Sequence, residues 1–152
     1  MKKILVTGAT GGIGESICQL LEDNYYVYVV ARDEKKVEEL CKKYKKIKDY
    51  FICDLSDLNK INEMTNIISQ KSIDIDVLIN NAGMTDDSLF IRMGLEKWRN
   101  VIDTNLNSTF LLTSAISKTM IKKKWGRIIN ITSVVGHTGN FGQSNYTASK
   151  SG

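Results

Sequence analysis

A tyrosine and a lysine stand four residues apart near the end of the sequence, at Tyr146 and Lys150, and Ser133 lies thirteen positions before the tyrosine. On a helix, residues i and i+4 share a face, so the phenol and the ammonium would lie side by side. A phenol ordinarily titrates near pH ~10, and a neighbouring positive charge favours the phenolate and lowers such a pKa. A phenol in that setting can give a proton to a carbonyl oxygen or take one from an alcohol. The pattern therefore predicts oxidoreductase chemistry, which requires a hydride carrier.

Short apolar runs alternate with stretches of helical periodicity along the chain. The predicted strands are Ile4–Thr7, Tyr26–Ala31, Tyr50–Cys53, Val77–Asn80 and Arg127–Thr132. They are continuously apolar, as expected when helices cover both faces of a sheet. Amphipathic helices are predicted between them, and the stretch Glu96–Lys123 predicts two helices broken near Asn105–Asn107. The alternation predicts an α/β fold, a doubly wound parallel sheet in three α/β/α layers.

A glycine-rich run joins the first predicted strand to the first predicted helix, with the spacing Gly8-x3-Gly12-x-Gly14. Glycines let the backbone turn tightly and approach a pyrophosphate, which then rests against the positive end of the helix. A run of this kind is weak evidence alone, but its place between a strand and a helix makes it strong. The sequence therefore predicts a dinucleotide site.

The end of the second predicted strand bears on the choice of dinucleotide. A site for NAD would carry a carboxylate there to bind the ribose 2′-hydroxyl, whereas this chain has Ala31 followed by Arg32. A cation suits the 2′-phosphate of NADP. Asp33 follows directly and speaks against this reading, and Arg32 could also be an ordinary surface arginine. The pattern favours NADP over NAD.

Small or polar residues follow the other predicted strands as well. Asp54 follows the third, Asn80-Asn81-Ala82-Gly83 ends the fourth, and Ser133 follows the fifth. Each could be a helix cap or a turn residue. In open α/β sheets, however, ligands bind in the crevice outside the carboxyl ends of the strands. The convergence of these small and polar residues on that edge favours a shared site.

The composition excludes several classes of function. The 152 residues are 42% hydrophobic and 25% charged, with a mild net charge of +4, as in an ordinary globular domain. Nucleic-acid binding calls for stronger basicity, so we expect no nucleic-acid partner. The cysteines at 18, 41 and 53 lack metal-ligand spacing and fit the apolar pattern, which predicts core positions and no metal site. No signal peptide or membrane span is recognisable, so we expect a cytoplasmic protein.

Three motifs together resemble the short-chain dehydrogenase/reductase family: Thr7-Gly8-x3-Gly12-x-Gly14, Asn80-Asn81-Ala82-Gly83 and Tyr146-x3-Lys150. The likeness covers the whole chain, and the stretches Asn80–Leu89 and Ser133–Tyr146 are most similar to 3-oxoacyl-[acyl-carrier-protein] reductases. The resemblance implies a single NADP-binding Rossmann domain over residues 1–152, with the C-terminal part of the fold missing because relatives continue further. It also implies a homotetramer that reduces a 3-oxoacyl thioester on acyl carrier protein with NADPH, in fatty acid synthesis. Two alternatives stay open: another ketone or alcohol substrate, such as acetoacetyl-coenzyme A, a sugar or a steroid, and a non-catalytic dinucleotide-binding module.

The resemblance also assigns roles to individual residues. Tyr146 would give the proton to the keto oxygen and Ser133 would hydrogen-bond that oxygen, so both would contact the substrate. Lys150 would favour the phenolate and hold the nicotinamide ribose, and Asn105 would order a water that relays protons to Lys150. The residues expected to contact the cofactor are Gly8, Thr10, Gly11, Gly12, Ile13, Gly14, Arg32, Asp54, Leu55, Asn81, Ala82, Gly83, Tyr146 and Lys150.

The family often carries a basic residue in the glycine-rich loop that helps to bind the 2′-phosphate. Here Thr10 and Gly11 stand in that region without charge, so selectivity for NADP would rest mainly on Arg32.

A basic cluster of Lys122, Lys123, Lys124 and Arg127 precedes the fifth predicted strand. It is typical of a solvated helix end, but it could also steer an acidic carrier protein. Six strand residues at ~3.3 Å each would separate it by about 20 Å from Ser133, at the opposite end of the sheet. A carrier protein docked there could deliver its substrate only to a neighbouring subunit's site, or to no site at all. His137, the only histidine, is predicted to be a loop residue.

Overall fold

The computed structural model describes all 152 residues and contains one parallel sheet of five strands in the order β3-β2-β1-β4-β5. The strands are β1 Lys3–Thr7, β2 Tyr26–Ala31, β3 Ile47–Ile52, β4 Val77–Asn80 and β5 Arg127–Asn130. The helices are α1 Gly12–Leu21, α2 Glu34–Lys43, α3 Leu58–Gln70, α4 Leu95–Ile102, α5 Ser108–Lys123, α6 Val135–Thr138 and α7 Ser144–Ser151. A short 3₁₀ helix, Phe90–Arg92, precedes α4. None of the helices is both long enough and apolar enough to span a bilayer.

Helices cover both faces of the sheet, which confirms the predicted three-layer α/β/α fold. Successive side chains of a strand point to opposite faces. In β1, Leu5 packs in a core with residues of α3 and α5, while Ile4 and Val6 pack in a second core with residues of α1 and α2. Strands buried on both sides need apolar residues at every position, which explains the continuous runs in the sequence.

The order of the strands reverses between β1 and β4. Residue Ile4 of β1 pairs with Val27 of β2 on one side and with Val77 of β4 on the other, in parallel register. The connections from β1 and β4 therefore leave in opposite directions and open a crevice at the carboxyl edge of the sheet. That crevice is where the fold places a ligand.

Both edge strands differ from the prediction. Strand β3 begins at Ile47 rather than Tyr50 and ends at Ile52, and β5 ends at Asn130 rather than Thr132. An edge strand has solvent on one side, so it tolerates polar residues that a central strand would not. In β3, Lys48 is exposed and Asp49 forms an ion pair with Lys71 at 2.7 Å.

The predicted break near Asn105–Asn107 is wrong, because the helix continues through a π-helical turn at Asp103–Asn107. The backbone stays right-handed on both sides of the turn, and the Ser108 N–H donates to the Asp103 carbonyl, five residues earlier. Asparagine is a poor residue for a helix interior, and here it widens one turn instead of ending the helix. His137 likewise lies in the one-turn helix α6 rather than in a loop.

The cysteines are free thiols that belong to the cores, as predicted. Cys18 and Cys53 are buried and Cys41 is half-buried. Burial disfavours the thiolate, and it raises the pKa of Cys18 to about 12 and that of Cys53 to about 11. Neither thiol is therefore ionised near neutral pH.

Candidate active site

The loops that follow β1 and β4 touch at the carboxyl edge of the sheet. The side-chain amide of Asn81 donates to the carbonyl oxygens of Thr7 and Gly8, at 3.1 and 3.2 Å. In return, Thr7 Oγ1 accepts hydrogen bonds from the N–H groups of Asn81 and Ala82, at 3.1 and 3.0 Å. Gly8 has a φ of +63°, and a Cβ on it would lie 2.8 Å from Ala82 Cα. Glycine is therefore required at this position both for its conformation and for the close approach.

The glycine-rich loop continues directly into α1. A Cβ on Gly14 would collide with the Gly8 carbonyl oxygen and lie 2.8 Å from Ala9 Cα, whereas one on Gly12 would meet nothing within 4 Å. Gly11 precedes α1 in an extended conformation and offers no side chain to cap the helix. The first-turn N–H groups of α1 are thus available to an anion such as a pyrophosphate.

A cleft of about 850 Å³ opens above this loop, which is large enough for a dinucleotide. Eleven of the residues predicted to contact a cofactor line it: Gly8, Thr10, Gly11, Gly12, Ile13, Gly14, Arg32, Leu55, Asn81, Ala82 and Gly83. The other lining residues, which were not predicted as cofactor contacts, are Val30, Ala31, Asp33, Lys36, Cys53, Met84 and Thr104. The close packing of the glycines and the exposed helix terminus fit a nicotinamide dinucleotide.

Asp54 lies beside this cleft rather than in it. Its carboxylate accepts hydrogen bonds from the N–H and Oγ of Ser56, at 3.0 and 2.9 Å, and faces an adjoining hollow. The bond from the Ser56 N–H, opposed by burial, holds the pKa of Asp54 below its usual value, and the Ser56 hydroxyl and the charge of Arg32 act in the same direction. The position has the geometry of a turn residue.

Helix α7 carries Tyr146 and Lys150 on one face, as their spacing predicts. The Lys150 ammonium lies 5.9 Å from the centre of the Tyr146 ring and donates to the Ile131 carbonyl at 2.8 Å. A Cβ on Gly83 would be 3.4 Å from the same nitrogen. Lys150 therefore connects α7 with the ends of β5 and β4, but neither Lys150 nor Tyr146, both predicted to contact the cofactor, lines the cleft itself. Burial of the ammonium lowers the pKa of Lys150.

Ser133 lies two residues beyond Ile131, in the turn that leads into α6. It is half-buried, and its Oγ accepts a hydrogen bond from the Val135 N–H at 3.3 Å. No hydrogen bond joins Ser133 to Tyr146. The two side chains come from the carboxyl end of β5 and from α7, and α6 packs against α7. The packing of α6 on α7 therefore brings the segment that carries Ser133 next to the helix that carries Tyr146.

Asn105 lies buried in the π-helical turn and fastens the loop after β4. Its Oδ1 accepts from the Met84 N–H at 2.8 Å, and its Nδ2 donates to the Met84 carbonyl and to Ser149 Oγ, both at 2.9 Å. The Thr109 hydroxyl donates to the Asn105 carbonyl at 2.9 Å. Ser149 directly precedes Lys150, so the Asn105 amide links the loop after β4 to the part of α7 that carries this lysine.

Asp33 is the N-cap of α2 and also lines the cleft. Its carboxylate accepts a hydrogen bond from the Lys36 N–H at 3.2 Å. A carboxylate committed to a cap is a normal start for a helix and need not bind ribose. Arg32 keeps its place in the cleft.

Residues 2–152 match the family model described as short chain dehydrogenase. The chain belongs to the short-chain dehydrogenase family. Membership accounts for the parallel sheet, the glycine-rich turn after β1 and the pairing of Tyr146 with Lys150 on one helix.

Curated proteins resemble this chain at 41–44% identity. The 3-oxoacyl-[acyl-carrier-protein] reductase FabG of Buchnera aphidicola is 44% identical over 152 residues, covering 99% of this chain and 62% of the relative. The protein of the same name from Rickettsia typhi is 44% identical, with 61% of its length covered. Nodulation protein G of Rhizobium is 41% identical, with 62% covered. The chain thus spans about three fifths of the length of these relatives.

Proposed function

We propose that this protein is an NADPH-dependent oxidoreductase that reduces a 3-oxoacyl thioester, carried by acyl carrier protein, to the 3-hydroxyacyl form. The observation that carries the proposal is the position of Lys150, which joins the ends of β4 and β5 beside Tyr146. A module that only binds a dinucleotide has no need of that arrangement. The names of the relatives from Buchnera and Rickettsia support the substrate class.

The reaction divides between the bound dinucleotide and the protein. NADPH, when bound, supplies the hydride, which no side chain can provide. Tyr146 gives a proton to the keto oxygen, and Ser133 donates a hydrogen bond to the same oxygen as negative charge develops on it. The ammonium of Lys150 stabilises the phenolate left on Tyr146 and holds ribose hydroxyls. Asn105 keeps the loop after β4 and helix α7 in fixed relation through Met84 and Ser149.

The cofactor would extend from the nicotinamide side at Lys150, across the glycine-rich loop, to Arg32. In this proposal residues 1–152 form one NADP-binding Rossmann domain. The proposed cofactor contacts come from the residues that line the cleft, together with Asp54 at the margin of the cleft. Arg32 binds the 2′-phosphate that distinguishes NADP from NAD. Acyl carrier protein as partner, a homotetrameric assembly, a role in fatty acid synthesis and a cytoplasmic location belong to the same proposal.

Steady-state reduction of an acetoacetyl thioester, followed with NADPH and with NADH, tests the proposal. We expect turnover with NADPH, a strong preference over NADH, and a drop in kcat of at least about 10³-fold for Tyr146→Phe, since the proton donor is lost. Arg32→Ala should weaken NADPH binding far more than NADH binding. Tight binding of NADPH without turnover of any ketone would instead favour the binding module. Turnover of a sugar or steroid ketone in place of the thioester would favour a different substrate class.

A further inference from the structure

We propose that Lys36 is a second cation for the 2′-phosphate of NADPH and shares with Arg32 the discrimination against NADH. The inference rests on the proposed NADPH preference and extends it to a residue on α2 that no motif marks. It replaces the expectation, drawn from the sequence, that Arg32 acts mainly alone.

The first support is the position of Lys36. Lys36 lines the same cleft as Arg32 and Thr10, although it belongs to α2, four residues after Arg32 and outside the glycine-rich loop. Lys36 and Thr10 also border a smaller adjoining hollow of about 310 Å³. The lysine therefore stands beside the glycine-rich loop, on the wall of the cleft where β2 ends.

The second support is that Lys36 has no acidic partner. The structure contains five ion pairs, and neither Lys36 nor Arg32 takes part in any of them. Two acidic groups near Lys36 have other partners, and Glu39, which borders the same smaller hollow, forms no ion pair with it. Asp33 Oδ1 accepts from the backbone N–H of Lys36, and Glu15 accepts from the Lys43 ammonium at 2.6 Å and from the Tyr44 hydroxyl at 3.3 Å. An unpaired ammonium at the wall of a cleft is free to bind an anion.

The third support is the charge that the ligand presents. A phosphate monoester carries roughly −1.5 to −2 charges at neutral pH, so one guanidinium leaves it only partly neutralised. The glycine-rich loop adds no cation, since Thr10 and Gly11 occupy its middle. Lys36 reaches the same region from α2 and supplies that missing charge, with the Thr10 hydroxyl as a neutral donor. The 2′-hydroxyl of NADH offers no charge for either cation to bind, so the contact discriminates.

Lys35 provides a matched control. It is the preceding residue of α2, is exposed, carries the same charge and does not line the cleft. Neighbouring residues on a helix point about 100° apart, so a change at Lys35 alters the net charge without altering the cleft. Any effect of Lys36→Gln beyond that of Lys35→Gln therefore reports a local contact rather than long-range attraction.

The test measures binding rather than turnover. The affinities of the purified protein for NADPH and NADH are measured by fluorescence titration, and those for 2′-AMP and 5′-AMP by calorimetry. We expect Lys36→Gln to weaken NADPH and 2′-AMP about 5- to 10-fold and to leave NADH and 5′-AMP within about twofold, as for the loss of one charge-assisted contact near a surface. Lys36→Arg should keep the preference, which shows that folding is intact, and Lys35→Gln should resemble the unchanged protein.

The outcomes separate the two proposals. If the unchanged protein prefers NADPH and Lys36→Gln behaves as Lys35→Gln, the role of Lys36 is overturned and the proposed cofactor stands. An equal loss of NADPH and NADH affinity in Lys36→Gln would also overturn the role of Lys36 and leave the proposed cofactor standing. If the unchanged protein binds NADPH no more tightly than NADH, the proposed cofactor and the role of Lys36 are both overturned.

Discussion

Asn105 pairs with Met84 through both backbone groups of the methionine. The Met84 N–H donates to Oδ1 at 2.8 Å, and Nδ2 donates to the Met84 carbonyl at 2.9 Å. The Asn105 side chain thus satisfies both backbone hydrogen-bonding groups of Met84, as a neighbouring strand would do. These two hydrogen bonds anchor the loop beyond β4, which lies outside the sheet.

Replacement of Asn105 by alanine should therefore destabilise the protein. The Met84 N–H and carbonyl would lose their partners in a partly buried position, at a cost of about 1–3 kcal/mol in the free energy of unfolding. Asn100→Ala is the matched control, because Asn100 is an exposed residue of α4. Urea denaturation of the two variants checks the prediction, and indistinguishable midpoints would show that the Asn105–Met84 pair adds nothing to stability.

The glycines of the loop after β1 should differ sharply in their tolerance of a side chain. Gly14→Ala would drive a methyl group into the Gly8 carbonyl and the Ala9 backbone, and should cost about 1–3 kcal/mol or more through overpacking. Gly12→Ala faces open space and should leave stability unchanged or slightly higher, because alanine favours the helix. Thermal unfolding compares the two variants, and a loss of stability in Gly12→Ala as large as that in Gly14→Ala would contradict the packing described.

The buried thiol of Cys18 should make stability fall at alkaline pH. Its folded-state pKa of about 12 lies above the ordinary value of 9.0, so the unfolded chain releases this proton first. Stability is therefore intact below pH 9.0 and decreases as the pH rises from 9.0 towards 12, by up to about 1.4 kcal/mol per pH unit. Denaturation of the unchanged protein and of Cys18→Ala between about pH 8 and 10.5 measures the two slopes. The slope should be shallower for the variant, and parallel profiles would rule out this origin.

A carrier-docking role for the basic cluster can be tested at its exposed members. Lys123 is unsuitable, because its ammonium forms an ion pair with Asp76 at 2.7 Å and a change there would disturb the fold. Lys122 is exposed, and Lys124 is exposed with a left-handed φ of 53°, which asparagine tolerates better than most residues.

If the cluster steers acyl carrier protein to a neighbouring subunit's site, the variant Lys122→Glu with Lys124→Asn should raise KM for a carrier-bound thioester several-fold and leave KM for a small thioester unchanged. A second group of lysines lies at positions 42, 43, 45, 46 and 48, and Lys42→Glu with Lys45→Asn makes the same change of charge there and serves as the control. Equal effects on both substrates, or equal effects of the two variants, would exclude docking at the cluster.

The sequence was most informative where burial is complete. The bounds of β2 and β4 are those predicted, because central strands covered on both faces must be apolar at every position. The spacing of Tyr146 and Lys150 placed both on one face of α7 for an equally simple geometric reason. At the sheet edge the signal weakens, and the polar start of β3 went unrecognised.

Two features of the site could not be predicted from the sequence. A π-helical turn leaves no periodic signature, because asparagines that widen a helix look like asparagines that end one. Lys36 has the sequence surroundings of Lys35 and is exposed like it, and only the placement of α2 in the fold shows which of the two lysines lines the cleft. Asp33 was ambiguous for a similar reason, since capping and ribose binding both call for a carboxylate at that point.

The π-helical turn also constrains how this part of the chain can change in length. Removal of one residue from Asp103–Asn107 would rotate α4 relative to α5 by about 100° and shift it by about 1.5 Å. The buried Val101 on one side and the buried Leu112 on the other could not then both keep their contacts. Homologous chains should therefore vary in composition across this turn while keeping its number of residues, and insertions or deletions should gather instead in the surface loops.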